Sequence, residues 1–403
     1  MSREPLLFLC HRIPYPPNKG DKIRSFNILK QLSGYYDIHL AAFVDDPHDW
    51  QYQQALAPYC KSVLLKPINP LLGRVKGLLG MFLGKPVSLP YFSNSSMQTW
   101  VNQQITGQQI RKVLVYSSAM AQYVENRPEL HRIADFVDVD SDKWRQYADK
   151  AVNPLMKWVY GREHRTLSAY EQRITSEFDG VTFVSDDEAA FFSESLPLES
   201  RDKVSAFPNG VDVDFFDPTL SSQAPFDFPY LVFTGAMDYW ANVDAVVWFV
   251  EYVWPSILTK HPDLHFAVVG GNPTDKVKAL AKHPQVVVTG RVEDIRPYIQ
   301  HAEFAVAPLR IARGIQNKVL EAMALGKAVV MTSMAAEGIR LPVAQGQLVG
   351  DEASAFSEHC LQMLGNEQCQ VIGHDNQAWI KAQYQWDAVV EQLHKMLACQ
   401  NGM

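Results

Sequence analysis

The residues best placed to do chemistry in this 403-residue chain lie between 307 and 330, in APLRIARGIQNKVLEAMALGKAVV. The stretch begins on an apolar run, turns through Gly314 and Ile315–Gln316, enters a helical pattern near Asn317 and leaves it at Gly326. Asn is a favoured N-cap and Gly a favoured stop, so the spacing predicts strand, loop, helix and strand in succession. The free backbone N–H groups at such a helix start form an anion site. Arg310, Arg313 and Lys318 add three cations around that point. A cation is poorly placed near the positive end of a helix unless an anion joins it. Lys318 and Glu321 are three apart and share a helix face. The arrangement suits a diphosphate with a hydroxyl-bearing group beside it, Glu321 accepting the hydroxyls. A solvated basic loop with an ordinary helix salt bridge accounts for the same spacing equally well.

A second basic loop, PYPPNKGDKIR (14–24), follows the first apolar run. Gly20 lets a backbone come close to a ligand, and Lys19, Lys22 and Arg24 surround it with positive charge. A plain strand–helix turn is the alternative. His11, just upstream, reads as a loop histidine packed among prolines, and His164 and His301 sit in helical patterns with no assigned role. Tyr239 and Trp240 follow the loop glycine Gly235; they read as core residues rather than as a stacking platform.

These residues need elements to hold them. Apolar runs at Leu6–Cys10, Ile38–Val44, Val63–Lys66, Val113–Tyr116, Phe136–Val139 and Val181–Val184 predict one set of buried strands. A second set runs through Leu231–Thr234, His265–Val269, Val286–Thr289, Phe304–Ala307 and Val329–Thr332. Helical patterns such as Lys22–Leu32, Trp158–Glu177 and Val243–Tyr252 lie between them. Continuous apolar strands alternating with helices predict two parallel sheets covered on both faces. The proline-rich stretch 205–229 reads as the seam between them. A last helix is predicted over Gln377–Leu397.

Composition narrows the class. The net charge is −7 and 47% of residues are hydrophobic, which excludes global disorder and argues against a dedicated nucleic-acid binder. The five cysteines have no metal or redox spacing and read as reduced thiols of a cytoplasmic protein. The N-terminus has too few apolar residues for a signal peptide, and no run approaches membrane-spanning length.

The NKVLEAMALGKAVV stretch (317–330) resembles the signature of retaining GT-B glycosyltransferases, glycosyltransferase family 4 (group 1). Further similarities follow in order: PYPPNKGDKIR, FPNGVD (207–212), LVFTGAMDYWANVDA (231–245) and VVVTGRVEDIRPYIQHAEFAVAPLR (286–310). DFVDVDSDKWRQYA (135–148) and RIARGIQNKVLEAMA look most similar to sugar transferases associated with exosortase (PEP-CTERM) exopolysaccharide systems. The resemblance implies an α/β GT-B fold, two Rossmann-like parallel-sheet domains facing a central cleft. The expected divisions are an acceptor-side domain at 1–205, a nucleotide-sugar domain at 206–376 and a C-terminal helix at 377–403 packing back on the first domain. It implies transfer of a sugar from a UDP- or GDP-linked donor to a glycan or polyprenyl-linked acceptor, with retention and with no metal or other cofactor.

By the resemblance, Glu321 takes the ribose hydroxyls, and Gly235, Arg313, Gly314, Ile315 and Gln316 line the donor. Asp140, Arg310 and Lys318 are the expected catalytic residues. Gly20 is expected to line the donor as well, and Asn18, Lys19, Asp21 and Arg24 form the expected acceptor or phosphate loop. The chain departs from the family pattern in two places. Arg313 stands where relatives carry a first Glu, and GAMDYWAN (235–242) lacks their Arg and Lys. Arg310, Arg313 and Lys318 are the expected substitutes for that charge. Asp138 with Asp140, and Asp212 with Asp214, repeat the Asp-x-Asp pattern that holds a metal in the other large transferase fold. Asp212 instead reads as a structural turn, and Asp140 as a cleft residue or an N-cap. A nucleotide-sugar epimerase and a non-catalytic nucleotide-sugar binder are the rival readings.

One further segment stands apart. PLLGRVKGLLGMFLGKP (70–86) is apolar, with Arg74, Lys76 and Lys85 and no acid. It predicts either peripheral contact with an anionic membrane or a helix packed on the sheet with its cations snorkelling.

Overall fold

A computed structural model describes residues 3–17, 20–312 and 314–399, and within them all side chains except those of residues 70, 72, 74 and 82. The strands of the first sheet are β1 (Glu4–Cys10), β2 (Tyr36–Val44), β3 (Ser62–Pro67), β4 (Lys112–Tyr116), β5 (His131–Val137), β6 (Gly180–Phe183) and β7 (Val204–Ala206). They are all parallel, in the order β3-β2-β1-β4-β5-β6-β7. Leu6 to Cys10 are wholly buried, as a strand covered on both faces must be.

The second sheet contains β8 (Tyr230–Thr234), β9 (His265–Val269), β10 (Val286–Gly290), β11 (Ala305–Ala307) and β12 (Val329–Met331), again all parallel, in the order β10-β9-β8-β11-β12. Chain order reverses between β1 and β4 in one sheet and between β8 and β11 in the other. The carboxyl ends of strands beside such a reversal are where open α/β sheets bind ligands.

The chain divides into two compact units, Met1–Pro208 with Val389–Met403, and Asn209–Ala388. The single helix expected over 377–397 is two, Glu367–Gln383 and Trp386–Ala398, broken at Tyr384 and Gln385. The return to the first unit therefore comes at Val389 rather than at residue 377. The expected Val243–Tyr252 helix is Trp240–Trp248 followed by a π-helical turn, Phe249–Val253. The strand expected at Phe136–Val139 ends at Val137, whose φ is +71°. That value is rare for a β-branched residue and ends the ladder there.

Candidate functional site

The residues that gather at the β8–β11 reversal come from three segments. Gly235, directly after β8, has φ +155°, and its amide donates to the Val269 carbonyl at 3.1 Å. Gly270, directly after β9, has φ +153°, and a Cβ there would overlap the Gly235 carbonyl oxygen. The two loops thus stack backbone on backbone, which only glycine permits. Above Gly235 lies the ammonium of Lys318, 3.1 Å from where a Cβ would stand.

Lys318 is the second residue of the Asn317–Ala324 helix. Its Nζ donates to Asn242 Oδ1 at 2.5 Å and lies 4.1 Å from the centre of the Phe233 ring. Asn242 is buried, and its Nδ2 donates to the Ala236 carbonyl at 2.9 Å. One asparagine therefore orients the lysine and holds the β8 loop. This residue was missed in the sequence, where GAMDYWAN was read for Gly235, for Tyr239 and Trp240, and for the cations it lacks. An ammonium has three donors, so after Asn242 two remain for a ligand.

Glu321 follows one turn along the same helix, partly exposed, and its carboxylate has no hydrogen-bond or ion-pair partner among the described residues. Burial pushes Glu321 up to about 7 and Lys318 down to about 7, each opposed in part by the charge of the other. Both groups sit in surroundings that disfavour their charge, a cost structures carry where a ligand supplies the compensation.

Along the described part of the loop the backbone departs from expectation at one place. Gln316, not Asn317, occupies the N-cap position; Asn317 is the first helical residue and its Oδ1 accepts from Asn209 Nδ2 at 3.2 Å. Gly314 has φ +64°, and its carbonyl accepts from Gln316 Nε2 at 3.0 Å. Ile315 is buried, and Gly326 ends the helix with φ +70°. Arg313 lies outside the described residues.

Arg310 is not at this site's centre. Its Nε and Nη2 clasp Asp244 at 3.0 and 2.6 Å, on the half-exposed outer side of the Trp240–Trp248 helix. Sequence reading set it among the phosphate cations because it could not see Asp244, 66 residues away. Tyr239 and Trp240, expected in the core, are 54% and 53% exposed.

The expected N-terminal loop is largely an interior ion-pair network. Lys22 is buried against Asp49. Arg24 is 1% exposed, donates to Asp135 at 2.8 and 3.1 Å and to the Phe207 carbonyl at 2.6 Å, and lies 4.5 Å from the Phe207 ring centre. With those donors engaged it cannot serve a phosphate, so its place in the expected loop is corrected. Asp21 accepts from Arg12 at 2.9 Å and faces His11 at 3.6 Å. Burial would raise the Asp21 carboxyl, but the neighbouring His11 ring and the hydrogen-bonded Arg12 guanidinium outweigh it and hold the group well below the usual carboxylate range. His11 stacks on Tyr116, so the C-terminal ends of β1 and β4 carry an imidazole and a carboxylate at the first sheet's reversal. Its place directly after the first strand was the available signal. Gly20 opens the Gly20–Leu32 helix with nothing within 4 Å of a hypothetical Cβ. Asn18 and Lys19 lie outside the described residues.

After β5, Asp138 and Asp140 converge on Lys143 Nζ, each at 2.9 Å. Burial opposes the lysine's charge, but the two carboxylates outweigh it and raise its pKa above the ordinary range. The space between the pair is therefore held by an ammonium. Asp140 opens the Asp140–Lys150 helix and is 41% exposed at its side chain. Asp212 Oδ1 accepts from the Phe215 amide at 3.0 Å, the structural turn expected of it.

Residues 228–366 match the family model "Glycosyl transferases group 1". An uncharacterised 44.6 kDa protein from the cps region of Klebsiella pneumoniae is 21% identical over 364 residues, covering 88% of this chain and 89% of its own. Among solved structures, HepE of Anabaena in complex with UDP superposes with TM-score 0.64 at 13% identity, covering 99% of this chain and 100% of its own. WaaG, a glycosyltransferase involved in lipopolysaccharide biosynthesis, gives TM-score 0.63 at 14% identity over 98% and 100%. A glycosyltransferase of Rickettsia africae gives 0.61 at 13% identity over 98% of each chain. The fold is GT-B, with a 7-stranded and a 5-stranded parallel sheet. With a group 1 domain on that fold, the chain is an enzyme of the glycosyltransferase class.

Proposed function

We propose that the enzyme transfers a glycosyl group from a UDP- or GDP-linked sugar to a glycan or polyprenyl-linked glycan, in the building of an extracellular polysaccharide. The observation that carries the donor assignment is the pairing, on one helix, of a Glu321 that has no partner among the described residues with a Lys318 that keeps donors in reserve. Glu321 accepts the ribose hydroxyls. Lys318 and the amides at the start of the Asn317–Ala324 helix receive the diphosphate, beside the backbone of Gly235 and Gly314. HepE of Anabaena, whose structure contains UDP, supports that class of donor, and the cps-region relative supports the polysaccharide.

Departure of the nucleoside diphosphate builds negative charge on its terminal phosphate. A fixed ammonium and helix-start amides stabilise that charge most in the transition state, where it is largest. The configuration at the transferred carbon is retained, as the group 1 resemblance implies, and no metal or other cofactor is needed. Asp140 with Lys143, together with the His11–Asp21 pair, belongs to the unit that takes the acceptor. The protein works in the cytoplasm, where its five free cysteines stay reduced. A polyprenyl-linked acceptor is met at the membrane surface by peripheral contact; among the described residues no helix is long and apolar enough to cross a membrane.

A donor screen tests the reading. UDP or GDP at a hundredfold excess over its Kd should stabilise the protein by about 2.7 kcal/mol, read as a rise in Tm. The Lys318→Met/Glu321→Gln double variant should lose that rise. A wild type that responds to no nucleotide, or a double variant that responds equally, overturns the donor site. Product analysis with the stabilising sugar nucleotide and no acceptor then reports any epimerised donor, an outcome that would replace transfer with isomerisation.

A further inference from the structure

The Pro70–Phe82 helix turns Gly73, Gly77 and Gly80 inward and Leu71, Leu78 and Leu79 outward. Gly73, Gly77 and Gly80 are buried, whereas Leu71, Val75, Leu78 and Leu79 are exposed. The glycine stripe, at spacings of four and three, presses on the next segment of chain. A Cβ at Gly73 would stand 2.6 Å from Tyr91 Cε2, one at Gly77 2.6 Å from Val87 Cγ1, and one at Gly80 nearer still to Pro90 Cγ. No side chain fits there, so the glycines fix which face is inside. The other face carries Leu71 at 73% exposure, Val75 at 53%, Leu78 at 58%, Leu79 at 59% and, just beyond the helix, Leu83 at 74%. A surface helix of a soluble protein points such a stripe at its core. This one points it away, and contiguous exposed apolar surface marks an interaction site.

The surface continues on the Pro154–Glu177 helix. Arg162 Nη2 donates to the carbonyls of Met81 at 2.7 Å and Lys85 at 3.1 Å, tying that helix to the end of the first. Leu155 and Trp158, 66% and 58% exposed, share the Arg162 face by their spacing of three and four. Lys157 is exposed beside them.

We infer that this face docks the protein on an anionic phospholipid surface. Charge selects the occupant. Residues 70–86 hold Arg74, Lys76 and Lys85 and no carboxylate, in a chain whose net charge is −7. Lys85 is exposed, and Lys76, part-buried, also donates to the Ser93 carbonyl at 3.2 Å. A second copy meeting the same face across a two-fold axis would set cation against cation. Lipid headgroups supply the opposite sign, while the interfacial region takes the leucines and an exposed tryptophan. The inference is independent of the donor chemistry and makes the membrane contact a property of one face.

The test is co-sedimentation of the full chain with vesicles of equal parts phosphatidylcholine and phosphatidylglycerol, against phosphatidylcholine alone. The anionic vesicles should bind the protein more strongly, and added salt should weaken that binding. Leu78→Glu/Leu79→Glu should lower vesicle affinity about tenfold or more, with circular dichroism, Tm and UDP or GDP binding unchanged. Lys76→Gln/Lys85→Gln should remove most of the salt-sensitive part, about tenfold. If the glutamate variant does not fold, Leu71→Ser/Leu83→Ser carries the same test at the two most exposed positions. A folded wild type that binds neither vesicle overturns the proposal, as does a folded face variant that binds like wild type. A dimer that these substitutions dissociate, without any vesicle binding, also overturns it and assigns the face to self-association. Nucleotide binding is read on the same samples, so failure of the donor assignment leaves the vesicle result interpretable.

Discussion

Glu321→Gln should make the free protein more stable and its nucleotide complex weaker, and the two effects should separate with pH. In the wild type, burial lifts Glu321 from 4.5 to about 7, and among the described residues no hydrogen bond to the carboxylate repays the ionised form. A raised folded-state pKa means that the folded protein holds the proton more tightly than the unfolded chain. Its stabilising contribution is complete below the unfolded value and is lost as pH rises from about 4.5 through about 7. The full shift corresponds to roughly 3 kcal/mol at about 1.4 kcal/mol per unit. Partial exposure screens some of it, so about 1–3 kcal/mol is expected at pH about 8. Above pH about 7 Lys318 is largely neutral, so losing its carboxylate neighbour costs little there. Glutamine keeps the shape and removes the titration. Urea unfolding at pH about 4 should therefore find the two proteins alike, and at pH about 8 the variant should be more stable by that amount. Calorimetry with UDP or GDP at pH about 7 should show affinity lower by about 1–3 kcal/mol, the range for hydrogen bonds involving a charged group. A stability difference independent of pH would refute the titration argument. Unchanged nucleotide affinity in the folded variant would refute the ribose assignment.

Two more outcomes follow from the ion pairs. Arg24→Met should destabilise the protein by about 3–5 kcal/mol, because it strands Asp135 with Thr182 as its one side-chain partner left among the described residues; Arg24→Met/Asp135→Leu should recover most of the loss in Tm, and UDP or GDP affinity should stay the same in both. Loss of nucleotide affinity without loss of stability would return Arg24 to the ligand. Glycosyl transfer should survive EDTA, since the Lys143 ammonium already pairs with both Asp138 and Asp140; abolition by the chelator with rescue by Mn²⁺ or Mg²⁺ would make those aspartates metal ligands.

Most of the fold was legible because its signals are local. Continuous apolar runs such as Leu6–Cys10 and His265–Val269 can be read one strand at a time, and both are strands within two residues of the expected bounds. The loop and helix at 314–326 were legible for the same reason, since Gly314 and Gly326 set their own backbone. Strand β7 escaped because its three residues, Val204–Ala206, run straight into the proline-rich seam and carry no apolar run of their own. The break at Tyr384 and Gln385 escaped because the aromatic pattern continues across it. Tyr384 turns inward to give its hydroxyl to the Arg340 amide as acceptor, a contact that only the folded chain brings about.

The charged residues were harder, and for one physical reason: whether a cation is free for a ligand depends on an anion far away in the chain. Arg24 finds Asp135 at a separation of 111 residues, Lys22 finds Asp49 at 27, and Arg310 finds Asp244 at 66. All three looked like phosphate ligands in sequence, and all three are occupied. Lys318 differs because its hydrogen-bond partner, Asn242, is neutral and leaves two of its three donors for a ligand. A cation held by an amide at the carboxyl end of a parallel sheet is a better donor-site marker than a cation counted along a loop, because the amide fixes its position without cancelling its charge. The same reasoning explains the Pro70–Phe82 helix. Its glycine spacing of four and three was visible from the start, but only contact with Tyr91, Val87 and Pro90 decides that the glycines, rather than Leu71, Leu78 and Leu79, face the protein. Once the small face is claimed by close packing, the apolar face must turn outward, and its chemistry becomes a question of what lies outside the molecule.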